Sequence, residues 1–160
     1  MKRIMIIVLF LVLLGLLAQQ TRLTKLYDKN MGKPGFSSSE IDLNSMSFEW
    51  ENDENSESVR EVLKEIDRIY VLKYNDHLEG GKSSSDEFYE KLQKEISRDD
   101  YTEVATFNSN GDGIWLYFLK DSDPNKIREV AMVMHGDIET TMISITGNLD
   151  LKNIDTQKLM

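Results

Sequence analysis

The segment "NSNGDGIWLYF", residues 108–118, begins with the oxygen-bearing side chains that are typical of calcium-binding loops. In an EF-hand loop, oxygen ligands occupy the first, third and fifth positions, and a bidentate glutamate occupies the twelfth. Asn108, Asn110 and Asp112 fill the first three places, but the twelfth position is Leu119. Because only Asp112 then contributes charge, we interpret these residues as weak candidate ligands in a hairpin loop, and no metal site is predicted.

The same segment predicts how its loop turns. The flanking residues alternate between apolar and polar, which favours strands over the helices that flank an EF-hand loop. Glycine adopts positive φ without steric cost, and tight hairpins need that conformation. We therefore expect Gly111 and Gly113 to have positive φ in a turn between two antiparallel strands.

Two aromatic residues in this region are candidates for binding. Trp115 and Tyr117 alternate with Ile114, Leu116 and Phe118, so the two sets lie on opposite faces of a strand. If the aliphatic set faces the helices, the aromatic pair forms an exposed patch on the open face of the sheet, where a partner binds. The alternative is that the terminal segment or a second copy of the chain covers the pair.

Residues suited to catalysis are sparse. The only histidines, His77 and His135, lie in polar turn segments and are expected to be exposed. The sequence contains no nucleophile elbow, no HExxH motif and no phosphate-binding loop. We therefore predict no catalytic residue and no cofactor. A small hydrolase with dispersed carboxylates is retained as an alternative because the chain has 28 acidic residues.

The N-terminus has the pattern of a secretory signal peptide. Lys2 and Arg3 precede fifteen consecutive apolar residues from Ile4 to Ala18, and polar residues follow at once. This run is shorter than the roughly 20 residues that a membrane-spanning helix needs. We therefore expect a cleaved signal at 1–18 and export to the periplasm or cell envelope, with an uncleaved anchor that tethers a structural protein as the alternative.

Charge and cysteine content restrict the partners further. The formal net charge is -9, and the densest charge run, residues 49–58, is acidic, so a nucleic-acid partner is disfavoured. The chain has no cysteine, and a lipoprotein signal needs one, so lipid anchoring of that kind is excluded. The partner is expected to be an unidentified protein or another envelope component, and the oligomeric state stays open.

Three segments have the apolar period of helices. The first ends near Gly32, which is a suitable stop signal, and the third begins with Ser84 and Glu87, which have the spacing of a capping box. The apolar faces comprise Leu23, Leu26 and Tyr27; Val59, Val62, Leu63 and Ile66; and Phe88, Leu92 and Ile96. Each segment is therefore predicted to bury one face.

Strand patterns dominate the rest of the chain. Residues 68–74 are rich in β-branched and aromatic types, whereas 36–48 have only a weak alternation, so their pairing with the sheet is undecided. After the third helix, four alternating segments separated by short turns predict an antiparallel meander: 101–107, 114–120, 127–134 and 140–147. The segment from 148 onward is expected to form a last helical turn or short helix. Asn148 and Asp150 are expected to cap it, with a role as ligands as the less favoured alternative.

Together these elements predict one α+β domain at 19–160, with two layers and the helices on one face of an antiparallel sheet. The motifs "HGD" at 135–137 and "ISITGNLDL" at 143–151, with the opening "LTKLYDKNMGKPGF", resemble the exported family called domain of unknown function 4252, common in Bacteroidetes. The resemblance implies this fold and carries over no active residue. The chain departs from the family pattern in its polar segment 36–48 and in His135, where a small residue is common. We expect a non-catalytic binding module.

Overall fold

The computed structural model of the protein describes residues 20–46, 54–78, 84–109 and 112–150, with residues 54–59 described as backbone. The helices are α1 (Arg22–Asn30), α2 (Glu54–Glu65) and α3 (Ser85–Ser97), and a short 3-10 turn spans Leu43–Ser45. The strands are β1 (Phe36–Asp42), β2 (Ile66–Asn75), β3 (Tyr101–Ser109), β4 (Asp112–Lys120), β5 (Lys126–His135) and β6 (Glu139–Asp150).

All six strands form one antiparallel sheet in the order β1-β2-β6-β5-β4-β3. The four C-terminal strands are consecutive neighbours, which confirms the predicted meander. The pairing of β2 with β6 joins the N-terminal part of the chain to that meander. The α+β class and the antiparallel sheet are therefore confirmed.

Helix α1 forms for the reasons that its sequence suggests. Leu23, Leu26 and Tyr27 are buried on one face, and the Thr21 hydroxyl accepts a hydrogen bond from the backbone N–H of Thr24 at 3.2 Å. The helix ends at Asn30, and Gly32 follows with φ of 74°. Glycine adopts this left-handed conformation at no steric cost, so the chain reverses there and enters β1.

Strand β1 settles the question left open by its weak sequence pattern. Residues 36–42 pair antiparallel with β2, from Phe36 opposite Tyr74 to Asp42 opposite Arg68. The Arg68 guanidinium contacts Glu40 at 2.7 Å and Asp42 at 3.5 Å, so charge pairs accompany the ladder. In the rest of the weak segment, Leu43–Ser45 form the 3-10 turn and Met46 follows it, whereas residues 47–48 lie outside the described residues.

The C-terminal end differs from the expected short helix. Asn148, Leu149 and Asp150 continue β6, and Leu149 is buried at 3% exposure. Asp150 pairs with Lys126 in the ladder, and their side chains form an ion pair at 3.3 Å. The helix-capping role expected for Asn148 and Asp150 is therefore wrong, because cross-strand pairing supplies better partners for both backbone and side chain. Residues 151–160 lie outside the described residues.

The core consists of two clusters on opposite faces of the sheet, because neighbouring residues of β4 divide between them. The first core cluster comprises Leu23, Leu26, Tyr27, Leu72, Tyr74, Phe88, Leu92, Ile96, Tyr117, Ala131, Val133 and Met142. The second core cluster comprises Ile66, Phe118, Ile127 and Leu149, with Val62 and Leu63 packed against it. Helices α1 and α3 thus contribute to one face and α2 to the other, so the expectation of helices on one face only is not met.

Among the described residues, no helix combines the length and the apolarity that a membrane crossing requires. The segment 1–18, which we interpret as a signal peptide or an anchor, lies outside the described residues. Its export and its cleavage therefore remain predictions.

Helix α3 provides a direct test of local sequence signals. The Ser84 hydroxyl accepts a hydrogen bond from the Glu87 N–H at 3.1 Å, which confirms the predicted cap. We expect Ser84→Ala to lower the free energy of unfolding by about 1 kcal/mol, because a buried helix then loses its N-terminal acceptor. Urea denaturation measures the change. Ser97→Ala, at the exposed C-terminal end of the same helix, is the control and should change it much less; equal losses would contradict the capping role.

Candidate functional site

The β3–β4 hairpin contains the residues with the spacing of a calcium loop. Asn108 and Asp112 lie on the paired strands, with Asn108 opposite Gly113 and Ser109 opposite Asp112. The hairpin prediction is therefore confirmed for the described part, whereas Asn110 and Gly111 lie outside it. No group of three or more His, Cys, Asp or Glu side chains suitable for a metal ion occurs among the described residues.

Gly113 has a different role from the one expected. Among the described glycines only Gly32 and Gly35 have positive φ, so Gly113 does not serve to turn the chain. A Cβ at Gly113 would lie 2.1 Å from the indole of Trp115, which folds back over this position. Glycine is therefore required here by the close approach of a ring, an effect of side-chain packing that turn propensities do not reveal.

The structure places Trp115 and Tyr117 against α3, not on an open face. Tyr117 is 5% exposed and belongs to the first core cluster, and Trp115 is half-buried with its ring centre 5.1 Å from that of Tyr89. The Tyr117 hydroxyl contacts the Gln93 side chain at 3.3 Å. The expectation of an exposed aromatic pair is therefore wrong. The reason is that α3 packs on this face of β4, with Tyr89 against Trp115 and Gln93 against Tyr117. A binding role for the two residues is not tested by their position.

The opposite face of the same strands is the exposed one. Six apolar residues share this face, because they lie opposite one another in neighbouring strands: Val71–Ile143, Ile143–Met132, Met134–Ile114 and Ile114–Phe107. None of the six belongs to either core cluster. We call this surface the open face; it comprises Val71, Phe107, Ile114, Met132, Met134 and Ile143. The described side chains of helix α2 that join a core cluster, Val62 and Leu63, pack on the second core cluster, beyond one end of the open face.

Exposure distinguishes the open face from a normal surface. Phe107 is 62% exposed and Ile114 is 38% exposed, and the other four side chains are partly exposed. Scattered apolar residues are common on protein surfaces, but contiguous apolar patches usually mark interaction sites. Sequence alternation identified the aliphatic set that includes Ile114, but it did not indicate which face the helices would cover.

The two histidines differ in environment. His77 is exposed in the turn after β2, as expected. His135, expected to be exposed, has a side chain with only 20% exposure, and its ring stacks on Tyr89 at 4.2 Å between centres. The reason is its position at the end of β5, where α3 begins above it.

His135 belongs to a chain of polar contacts. Its Nδ1 lies 2.8 Å from the Thr140 hydroxyl and its Nε2 lies 3.4 Å from an Asp86 carboxylate oxygen. Thr140 donates to the Ser85 carbonyl at 3.0 Å and also contacts the Ser85 hydroxyl. This order of groups resembles a catalytic triad, but Thr140 and Ser85 are 0% and 1% exposed. The contacts therefore fix the start of α3 to the β5–β6 hairpin, and neither hydroxyl is accessible to a substrate.

Glu129 is the one fully buried acidic residue in the described part of the chain. Its carboxyl accepts hydrogen bonds from the hydroxyls of Tyr101 and Ser144. Burial raises the pKa of Glu129, and these hydrogen bonds only partly oppose that effect. Burial, and next the charge of Glu129, also raise the pKa of Tyr101, so its phenol stays a donor. Because Glu129 is 0% exposed, we interpret it and its two hydroxyl partners as a polar network within the core. A substrate in solvent would not reach this carboxyl.

The fold and this surface define an antiparallel α+β protein in which the described helices leave part of one apolar sheet face uncovered. The chain belongs to the family described as Domain of unknown function (DUF4252), whose model matches residues 27–156. The family resemblance drawn from the sequence is thereby confirmed. No curated protein and no solved structure matches the chain.

The role of Gly113 leads to a prediction about packing. We expect Gly113→Ala to lower the free energy of unfolding by about 1–3 kcal/mol, because the new methyl group displaces the Trp115 ring from its site. Thermal or urea denaturation measures the loss. Gly136→Ala is the matched control: its Cβ would approach only the Asp112 carboxylate, at 2.4 Å, and that side chain is exposed and can move. Equal effects of the two substitutions would refute the packing argument.

Glu129 leads to a prediction about pH. Because its folded-state pKa is raised above 4.5, the folded protein holds a proton that the unfolded chain releases as pH increases. The stabilisation that this proton provides is fully present below the pKa that Glu129 has in the unfolded chain. It is lost as pH rises through the higher pKa that Glu129 has in the folded protein. We expect the free energy of unfolding of the native chain to fall, relative to that of Glu129→Gln, from pH 4.5 upward.

Urea denaturation at a series of pH values checks this difference. The Tyr101 and Ser144 hydroxyls contact different oxygens of Glu129. Gln keeps one acceptor oxygen and places an N–H donor at the other position, as the protonated carboxyl does, so the variant has the same shape but does not titrate. Glu90→Gln, an exposed position on α3, serves as the control and should follow the profile of the native chain. Parallel profiles for Glu129→Gln and the native chain would show that Glu129 does not titrate between the two states in this range.

Proposed function

We propose that this protein is an exported, non-catalytic module that binds another protein through the open face of its sheet. The N-terminal pattern of residues 1–18 supports delivery to the periplasm or cell envelope, and the lack of cysteine supports a form without a lipid anchor. Membership of the family supplies no activity, so the proposal depends on the surface itself.

The main support for the proposal is the exposed apolar surface of the open face, which extends across β2, β6, β5 and β4 to the edge strand β3. Its side chains come from five strands, and two of them, Phe107 and Ile114, are more than one third exposed. Transfer of such side chains out of water contributes about 25 cal/mol per Å² of apolar surface, which favours a stable complex over exposure to solvent. Met132 and Met134 add flexible side chains that adapt to the shape of a partner.

Charge indicates the chemistry of that partner. The chain has a net charge of -9, and carboxylates of Asp112 and Glu139 lie at the hairpin end of the strands that form the open face. Lys73 neutralises Glu139 at 2.6 Å, and Asp112 has no ion pair among the described residues. The partner is therefore a protein whose contact surface is apolar at its centre and carries Lys or Arg at its rim. A second copy would bring two acidic chains together, so it is the less favoured occupant.

Substitution of Phe107, the most exposed side chain of the open face, tests the proposal. Immobilised protein is exposed to envelope extract, the captured protein is identified, and its binding is then titrated in purified form. We expect Phe107→Ser to weaken binding by at least about tenfold, equivalent to about 1.4 kcal/mol, because a buried aromatic anchor is lost. Higher salt should slow association, since the charged rim steers the partner.

Leu78→Ser is the matched control, because Leu78 is 43% exposed but lies in the turn after β2. It should leave the affinity unchanged. Equal affinity of the Phe107→Ser and native chains would refute the role of the open face. If sedimentation shows a dimer of the native chain that Phe107→Ser dissociates, a second copy occupies the face and the proposed partner is wrong.

A further inference from the structure

A polar cleft lies away from the open face, at the end of the sheet where β2 and β5 begin and β6 ends. Helix α1 begins beside it, and the cleft has a volume of about 750 Å³. This volume falls within the range of about 300–1,000 Å³ that is usual for small-ligand sites. We call it the polar cleft, and its walls include Thr24, Arg68, Tyr70, Arg128 and Asn148.

The lining has an unusual composition for a ligand site. It consists of three amide side chains, three threonines, two aspartates, two arginines, Tyr70 and Gly147, with no aliphatic side chain. Most small-ligand sites are largely apolar, so this lining disfavours an apolar ligand. The two carboxylates and two guanidinium groups balance in formal charge, although the whole chain carries -9. The composition therefore favours a neutral ligand with many hydrogen-bonding groups.

Part of the lining is held in place by contacts within the protein. Asp67 accepts a hydrogen bond from the Asn44 side chain at 3.3 Å, and the Thr21 and Thr24 hydroxyls lie 3.2 Å apart. Arg68 is engaged by the carboxylates of β1, so it is not available as an unpaired cation for a phosphate. A fixed wall of this kind reduces the entropy that binding would otherwise cost.

Other groups of the lining remain available to a ligand. The side chains of Arg128 and Asn148 make no hydrogen bond or ion pair with any described residue. Asp121, whose pKa is lowered chiefly by hydrogen bonds from Ser122, supplies an ionised acceptor. Together these three residues offer guanidinium and amide donors next to carboxylate and amide acceptors.

Tyr70 adds an aromatic surface. Its ring is half-buried and packs on Tyr27 with 5.0 Å between ring centres and an angle of 60°. Burial raises the pKa of Tyr70, so its hydroxyl stays protonated and can donate a hydrogen bond. A ring beside planar hydrogen-bonding side chains matches a ligand that has both an apolar C–H face and a rim of hydroxyl groups.

From these observations we infer that the polar cleft binds a short neutral oligosaccharide. Sugar hydroxyls donate to the carboxylates and accept from the guanidinium and amide groups, and one pyranose face lies against Tyr70. A site whose polar groups are matched to hydroxyls discriminates strongly, because a ligand without them leaves those groups unpaired. An anion is disfavoured by the two aspartates and by the neutralised Arg68. This site is independent of the open face and of its protein partner.

The test is a titration followed by NMR, with the protein purified as the cell processes it. Maltotriose, cellotriose, laminaritriose and triacetylchitotriose are added separately at millimolar concentrations. We expect one or more of them to give saturable shifts of the Arg128 and Asn148 signals. Asn148→Ala and Arg128→Gln should each weaken that binding by about tenfold, since each removes a donor to a sugar hydroxyl. Asn108→Ala, an exposed amide on the β3–β4 hairpin, is the control and should not.

Two results would overturn the inference. Absence of saturable shifts with all four trisaccharides would show that the polar cleft is not a saccharide site. Saturable shifts of the same signals with inorganic phosphate, and none with the sugars, would assign the cleft to an anion. Because Phe107→Ser leaves the polar cleft intact, sugar binding by that variant distinguishes a failure of this inference from a failure of the proposed protein interaction.

Discussion

The pairing of β2 with β6 is the interaction on which the rest of the structure depends. It joins residues 64 to 81 positions apart in sequence, from Asn75 opposite Glu139 to Ile66 opposite Gly147. Without it, β1 and β2 would form an isolated two-stranded ribbon, which is marginal in water. Helices α1 and α3 would then lose the continuous surface on which they pack. Gly147 permits the closest approach, because a Cβ there would lie 2.1 Å from the Glu65 carbonyl oxygen.

The sheet also separates two kinds of surface. On one face, α1 and α3 cover an aromatic core that includes Tyr74, Phe88 and Tyr117. On the other, α2 covers only the second core cluster, so the open face remains in contact with solvent. The same protein thus carries a buried face and an exposed apolar face back to back, and the polar cleft lies at the end where α1 begins. These surfaces are distinct in chemistry and in location.

The elements set by local signals were predictable from the sequence. Ser84 and Glu87 mark the start of α3, and the alternation of 127–134 and 140–147 marks two strands, because capping and side-chain period depend on nearby residues. Which face of β4 the helices cover was not predictable, since it depends on whether Trp115 or Ile114 meets α3. The role of Gly113 depends on how the ring of Trp115, on the same strand, folds back over it, and the burial of Glu129 depends on residues from other strands. The polar cleft is assembled from distant segments and has no local signature.

The position of β6 has a further consequence for how the protein is made. This strand lies between β2 and β5, yet it is the last of the six to be synthesised. A nascent chain that emerges from its N-terminus therefore cannot close the sheet until β6, which ends at Asp150, has been synthesised. Loop closure over such a separation is slow compared with local helix formation. Closure of the whole sheet is therefore a late event in folding, because the strand that joins its two parts is also the last of the six to be made.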